Sequence, residues 1–212
     1  MKTDWLPLAL VPVLALAALP LVGSLPTWVT LTVAGLAMGM MIFMMASGLT
    51  LVFGLMDVMN FAHGIFISVG AYGAATVLTR MRPQMEAGNL ASDLSAMVPA
   101  VLAAIALAGI LGWFFERVLI RPVYGDHLKQ ILITMGGLIV FEQLIHVVWG
   151  ADMIPLPRPG AITGSFILGE AAIERYRVLA VIVGLVVFAG MWLLLNRTRI
   201  GLLVRAGVEN PE

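Results

Sequence analysis

Apolar residues fill most of this chain in long stretches, and polar residues gather in short clusters between them. Stretches at 5–23, 28–56, 64–78, 96–115, 131–149 and 178–195 predict six membrane-crossing helices. The first contains Pro7, Pro12 and Pro20 and is expected to bend or tilt. Lys2 before it and Ser24 after it also permit a signal-peptide reading, which Asp4 weakens. At ~1.5 Å per residue the second stretch exceeds a ~30 Å hydrocarbon core, so it must tilt, break or protrude. Within it Gly35 and Gly39 form a GxxxG pair, a candidate helix-packing face.

The interruption at 57–63 differs from the others. Asp57, Asn60 and His63 stand among Val58, Met59, Phe61 and Ala62, so the segment stays apolar enough to remain at or inside the membrane. An ionised Asp at a helix centre costs on the order of 2.5–3.5 kcal/mol on insertion scales, which a chain accepts where the group faces protein, water or a passing solute. Glycines at 48, 54, 64, 70 and 73 bracket the cluster and suit close helix contact or a broken helix. Either the chain turns round at 57–63 or a half-helix ends there. The segment reads as the lining of a permeation route.

The remaining breaks are conventional. Residues 80–95 form a polar loop, and Trp113, Phe114 and Phe115 end the next span in a cluster suited to an interface belt. A charged connector at 116–130 carries Glu116, Arg117, Arg121, Asp126, His127 and Lys129. The fifth span is interrupted by Gly136 and Gly137 and carries Glu142, Gln143 and His146. Prolines 155, 157 and 159 rule out a continuous helix in the first half of 150–177, where ITGSFILG can form a small hairpin. In the tail, Leu202, Leu203 and Ala206 can share one side of a short amphipathic helix, with Arg205 and Glu209 as an i, i+4 pair. Six crossings put seven Lys/Arg (2, 117, 121, 129, 197, 199, 205) on one side and five (80, 82, 158, 175, 177) on the other. The positive-inside rule makes the first side, with the N-terminus and the tail, cytoplasmic.

Composition supports this class. The chain is 61% hydrophobic and 11% charged, against about a quarter charged in soluble domains. Twelve basic and twelve acidic residues balance to a formal charge of +0, so nothing points to nucleic acid. The absence of Cys excludes disulfides, thiol catalysis and Cys-based metal sites. The three histidines, 63, 127 and 146, lack metal-site spacing, and no Gly-rich phosphate loop with its Lys occurs. ATP hydrolysis by that route is therefore excluded, and energy for transport must come from a partner.

Two roles remain open for the polar residues. Asn60 and His63 can line a solute path through uncharged hydrogen bonds, or they can brace a helix break by pairing its backbone groups. Asp57 can cap a helix starting at Val58. Glu142 and His146 share a helix face and can form a buried contact or a polar spot on the pathway.

With these residues laid out, the chain resembles the permease subunits of branched-chain amino-acid ABC importers from about Gly48 to its C-terminus. The resemblance is carried by GLTLVFGLMDVMNFAHGIFISVGAY, with Asn60–Phe61–Ala62–His63–Gly64 as its most specific part. ERVLIRPVYG, ILITMGGLIVFEQLIHVVWG and RTRIGLLVRAGVENPE follow in order. It implies an all-α polytopic transmembrane helical bundle of about six spans, with a broken or re-entrant segment near 57–63, forming a single permease domain over 1–212. Asp57, Asn60, His63, Gly64 and Glu142 are the expected translocation residues. Gly201, Arg205, Ala206, Glu209 and Asn210 are the expected contacts to the ATPase. The implied partners are two ABC ATPase subunits, a second permease subunit, a periplasmic solute-binding protein and the bilayer of a bacterial inner membrane. No cofactor is expected on this chain, since ATP is bound by the partner subunits. Relatives of the same family handle urea and short amides, so those solutes stand as an alternative. A proton-coupled secondary transporter using Asp57, His63 and Glu142 as a relay is another. Family members usually continue past this point, so a truncated, non-transporting product is also an expectation.

Overall fold

The structure, a computed structural model, describes residues 5–56, 58–198 and 201. Among them are seven α-helices: α1 (Trp5–Val22), α2 (Leu25–Met56), α3 (His63–Arg80), α4 (Arg82–Glu86), α5 (Leu90–Phe114), α6 (His127–Trp149) and α7 (Arg175–Arg197). Four helical stretches are long and apolar enough to cross a membrane: Leu25–Gly54, Leu90–Val123, His127–Trp149 and Arg175–Arg197. At 18 residues each, α1 and α3 reach about 27 Å, close to the thickness of the hydrocarbon core. The protein is an all-α polytopic membrane protein.

Its contacts gather into two compact units. The first comprises residues up to Met44 together with Thr163–Leu193. There Trp28 donates its indole N–H to the Ala15 carbonyl at 2.6 Å. Met40 of α2 occupies the space that the absent side chain of Gly184 leaves on α7, and Phe43 meets Phe188 edge to face at 5.6 Å. The expected hairpin lies further along the chain than ITGSFILG: that stretch supplies only its first strand, β1 (Ser165–Leu168), which pairs antiparallel with β2 (Ala171–Glu174), Phe166 opposite Ile173. Arg175 lies over the Phe166 ring at 5.3 Å, a cation–π contact.

The second unit holds residues 45–162 and the chain from Leu194 onward. Its most extensive packing joins α3 to α5. Small residues permit this: Gly70 rests on Ala104 and Ala108, and Leu107 fills the space over Gly73.

The region after α5 departs from expectation. The helix does not stop at Phe115 but continues as a π-helical turn, Phe115–Ile120, and a 3-10 turn, Arg121–Val123. Residues 116–123 are therefore helical rather than an irregular connector. Their charges tolerate this because Glu116, Arg117 and Arg121 are all exposed, and long Arg stems carry their heads to water along apolar surface. The aromatic cluster also divides. Trp113 is exposed, as a belt residue would be, whereas Phe115 is fully buried in the core. The loop at 80–95 contains the short helix α4, and no helix begins at Val58.

Side chains cap both α5 and α6. Asn89 accepts from the Ser92 N–H at 2.8 Å, and Asp126 accepts from the Lys129 N–H at 3.1 Å. The hydrogen bond from the Lys129 ammonium holds the Asp126 carboxyl below its ordinary range, helped by the Lys129 N–H. A depressed folded-state value means this cap is at full strength above the ordinary carboxylate range and is lost as pH falls through the lowered value.

Candidate functional site

Between α2 and α3 the backbone leaves helical geometry, and its N–H groups lose their partners four residues back. In a membrane such groups must be paired by protein. Three side chains do this. Met59 donates its N–H to Oε1 of Gln130 at 3.0 Å, Phe61 to Oγ1 of Thr134 at 3.2 Å, and Ala62 to Oδ1 of Asn60 at 3.0 Å. The turn closes through His63 N–H to the Asn60 carbonyl (3.4 Å) and Ile65 N–H to the Ala62 carbonyl (2.9 Å). Val58, Asn60 and Ala62 are buried, as are Gln130 and Thr134 on α6. Asn60 therefore braces the break as an Asx turn, one of the two roles left open for it.

Gln130 and Thr134 stand four residues apart and so share one face of α6. Thr134 uses its hydroxyl fully, donating to the Gln130 carbonyl at 2.7 Å while accepting from Phe61. Gln130 turns its amide N–H toward the Val123 carbonyl at 3.4 Å, at the end of the 3-10 turn. Sequence reasoning passed over both residues. Their signal is the i, i+4 spacing of two uncharged polar residues at the start of an apolar helix. The break lies level with the first two turns of α6, so it sits toward one end of that helix rather than at its centre.

His63 begins α3 and is half-buried. Its ring stands edge-on to Phe66, centroids 6.3 Å apart, and covers Gly48, where an added Cβ would lie 3.2 Å from Cε1 and Nε2. That spacing requires the imidazole to give by a few tenths of an ångström. Gly48→Ala is expected to destabilise by no more than about 1 kcal/mol, and in a His63→Ala background the substitution is expected to be neutral. Thermal unfolding of the single and double variants checks this. Behind the break, Phe66, Phe114, Phe115 and Phe141 stack with centroids 5.0–6.4 Å apart, and Ala62, Ile65, Leu111 and Ile145 complete the core. On the far side of this cluster Trp149 donates to Thr76 Oγ1 at 2.8 Å and rests against Tyr72.

The other residues singled out from sequence are distributed as follows. Gly64 is exposed beside the break with open space above it. Glu142 and His146 are both exposed, and no ion pair joins them among the described residues. Glu142 stands eight residues beyond Thr134, about 12 Å along the helix axis, so the structure does not bring it to the break. Gly201 is buried and helical, with its N–H directed at Thr198 Oγ1. Asp57, Arg205, Ala206, Glu209 and Asn210 lie outside the described residues. Within the described residues the break is an uncharged polar seam in an apolar setting, able to hold a helix discontinuity and to exchange hydrogen bonds.

Comparison with known proteins gives a consistent result. The family model described as branched-chain amino acid transport system / permease component matches residues 31–212. The chain is 30% identical over 183 residues to the high-affinity branched-chain amino acid transport system permease protein BraD of Pseudomonas aeruginosa, covering 84% of this chain and 58% of that protein. It is 26% identical over 183 residues to the permease protein LivH of Escherichia coli strain K12, covering 83% and 57%. A probable LivH of Methanocaldococcus jannaschii is 23% identical over 177 residues, covering 81% and 52%. The chain thus spans somewhat over half the length of these relatives. No solved structure matches it.

Proposed function

Since this chain belongs to the branched-chain amino-acid transport permease family, we propose that it forms part of the transmembrane pathway of an ABC importer for branched-chain amino acids. The family match over 31–212 carries the reading, and the sealed polar break supports it physically. A discontinuous helix whose Met59 and Phe61 N–H groups are held by a neighbouring helix can adopt a second arrangement if that neighbour moves. A binding protein delivers solute to the periplasmic face, and ATP binding in partner subunits shifts the helices between two access states. Differential binding to those states couples ATP to transport. A second permease subunit completes the pathway, and the tail around Gly201–Glu212 passes motion from the ATPase on the cytoplasmic side of the inner membrane. Asp57, Asn60, His63 and Gly64 border the path. Glu142, exposed on α6, faces a partner or the solute.

Inner-membrane vesicles carrying the assembled complex, supplied with the binding protein, test this. They are expected to take up labelled leucine when ATP is present and to continue when an uncoupler removes the proton gradient. Uptake that collapses with the uncoupler at constant ATP would overturn the reading, and competition by urea would move the solute to short amides. In the same vesicles, Arg205→Ala with Glu209→Ala is expected to lower solute-stimulated ATP hydrolysis about tenfold, within the usual range of coupling between sites. Unchanged stimulation would remove the tail from the coupling route.

A further inference from the structure

Gln130 touches three parts of the protein at once. Its side-chain oxygen holds the Met59 N–H in the break, its side-chain nitrogen holds the Val123 carbonyl at the end of the π/3-10 segment, and its own N–H holds the Asp126 carbonyl in the cap of α6. Its carbonyl receives Thr134, which in turn holds Phe61. The residue is 1% exposed, and Thr134 is 0% exposed. The 3-10 turn it grips, Arg121–Val123, follows directly on the π-helical turn Phe115–Ile120, a geometry that often marks functional positions.

We infer that Gln130 is a positioning residue that makes the segment at 115–126, the first two turns of α6 and the break at 58–62 move as one body. A displacement applied to the exposed charged side chains of 116–121 reaches the break through the hydrogen bonds of Gln130, beside the apolar packing of Phe115 on Ala62 and Ile65, without passing along α5. Thr134 provides the second attachment, so the break cannot rotate about the Gln130 bond alone. The inference rests on the permease reading for its transport consequence only. The mechanical link stands on the geometry.

Gln130→Met keeps the length and apolar body of the side chain and removes both hydrogen bonds. Thr134→Val removes the hydroxyl at nearly constant shape, and Thr134→Ser restores it. In the full chain in membranes, amide exchange of residues 58–62 is expected to quicken about tenfold in Gln130→Met and in Thr134→Val, the effect of a buried N–H losing its acceptor. Thr134→Ser is expected to match the parent. In the assembled complex, ATP consumed per leucine transported is expected to rise about tenfold in the first two variants. A purely structural loss would lower uptake and hydrolysis together.

Unchanged exchange at 58–62 in Gln130→Met overturns the link, as does increased exchange with an unchanged ATP-to-leucine ratio. If the parent complex moves no leucine while exchange at 58–62 still depends on Gln130, the permease reading fails and the link stands.

Discussion

Asp93→Ala is expected to lower the stability of the chain by about 2–4 kcal/mol, because it removes the acceptor of two backbone N–H groups at once. Asp93 lies in the first turn of α5 and is 1% exposed. One carboxylate oxygen accepts from Gly160 at 3.2 Å and the other from Ala161 at 2.8 Å. This fastens the 3-10 turn Gly160–Ile162 onto the α4–α5 corner. Gly160 meets that corner so closely that an added Cβ would stand 2.7 Å from the Gly88 Cα and 3.1 Å from the Met85 carbonyl, both backbone atoms that cannot turn aside. Ser92 reinforces the corner through its hydroxyl to the Gln84 carbonyl at 2.8 Å. Asp93→Asn keeps one acceptor and is expected to lose about half as much. Asp152→Ala, at an exposed site, is expected to behave as the parent. Thermal unfolding of the purified chain in detergent distinguishes the three, and equal melting temperatures for the parent and Asp93→Ala would show that the carboxylate fastens nothing.

Gly137→Val is expected to be comparably damaging, at about 1–3 kcal/mol or more, through overpacking. A Cβ on Gly137 would approach Phe115 Cε1 to 2.9 Å and Leu119 Cδ1 to 3.2 Å. Phe115 has no room to retreat, being fully buried with Phe66 5.0 Å and Phe141 5.2 Å away by ring centroid. Gly136 faces open space, so Gly136→Val is the matched control. The first variant is expected to reduce the yield of folded protein severalfold and the second to leave it unchanged. Equal yields would mean that the phenylalanine cluster can repack around a β-branched residue.

These two sites mark where sequence reading works and where it stops. The spans were legible because each is an apolar run of membrane length, and the break at 57–63 because polar residues interrupt such a run. The first strand of the hairpin was legible from the loose alternation of ITGSFILG, and the second, Ala171–Glu174, was not. Where helices end was less so: Glu116 and Arg117 suggested a connector, yet their side chains can reach water from a helix that persists to Val123. The partners of the break were not legible at all. Gln130 and Thr134 lie 71 and 73 positions from the backbone groups they hold, and the demand for them arises only once folding brings the two segments together. Asp93 reads as an ordinary loop carboxylate for the same reason, since its two donors lie 67 and 68 positions away. Uncharged polar residues inside apolar spans, spaced four apart, are the pattern that would have drawn attention to α6.

Burial of the break against α6 is the feature on which the permease reading turns. Because the chain contains no cysteine, single cysteines at 58, 62 and 129 report on this without background. With a membrane-impermeant maleimide added to open membrane sheets, Val58→Cys and Ala62→Cys are expected to stay unmodified while Lys129→Cys, exposed at the start of α6, reacts readily. Labelling at 58 and 62 as fast as at 129 would mean that the break lies open to water, contradicting the account.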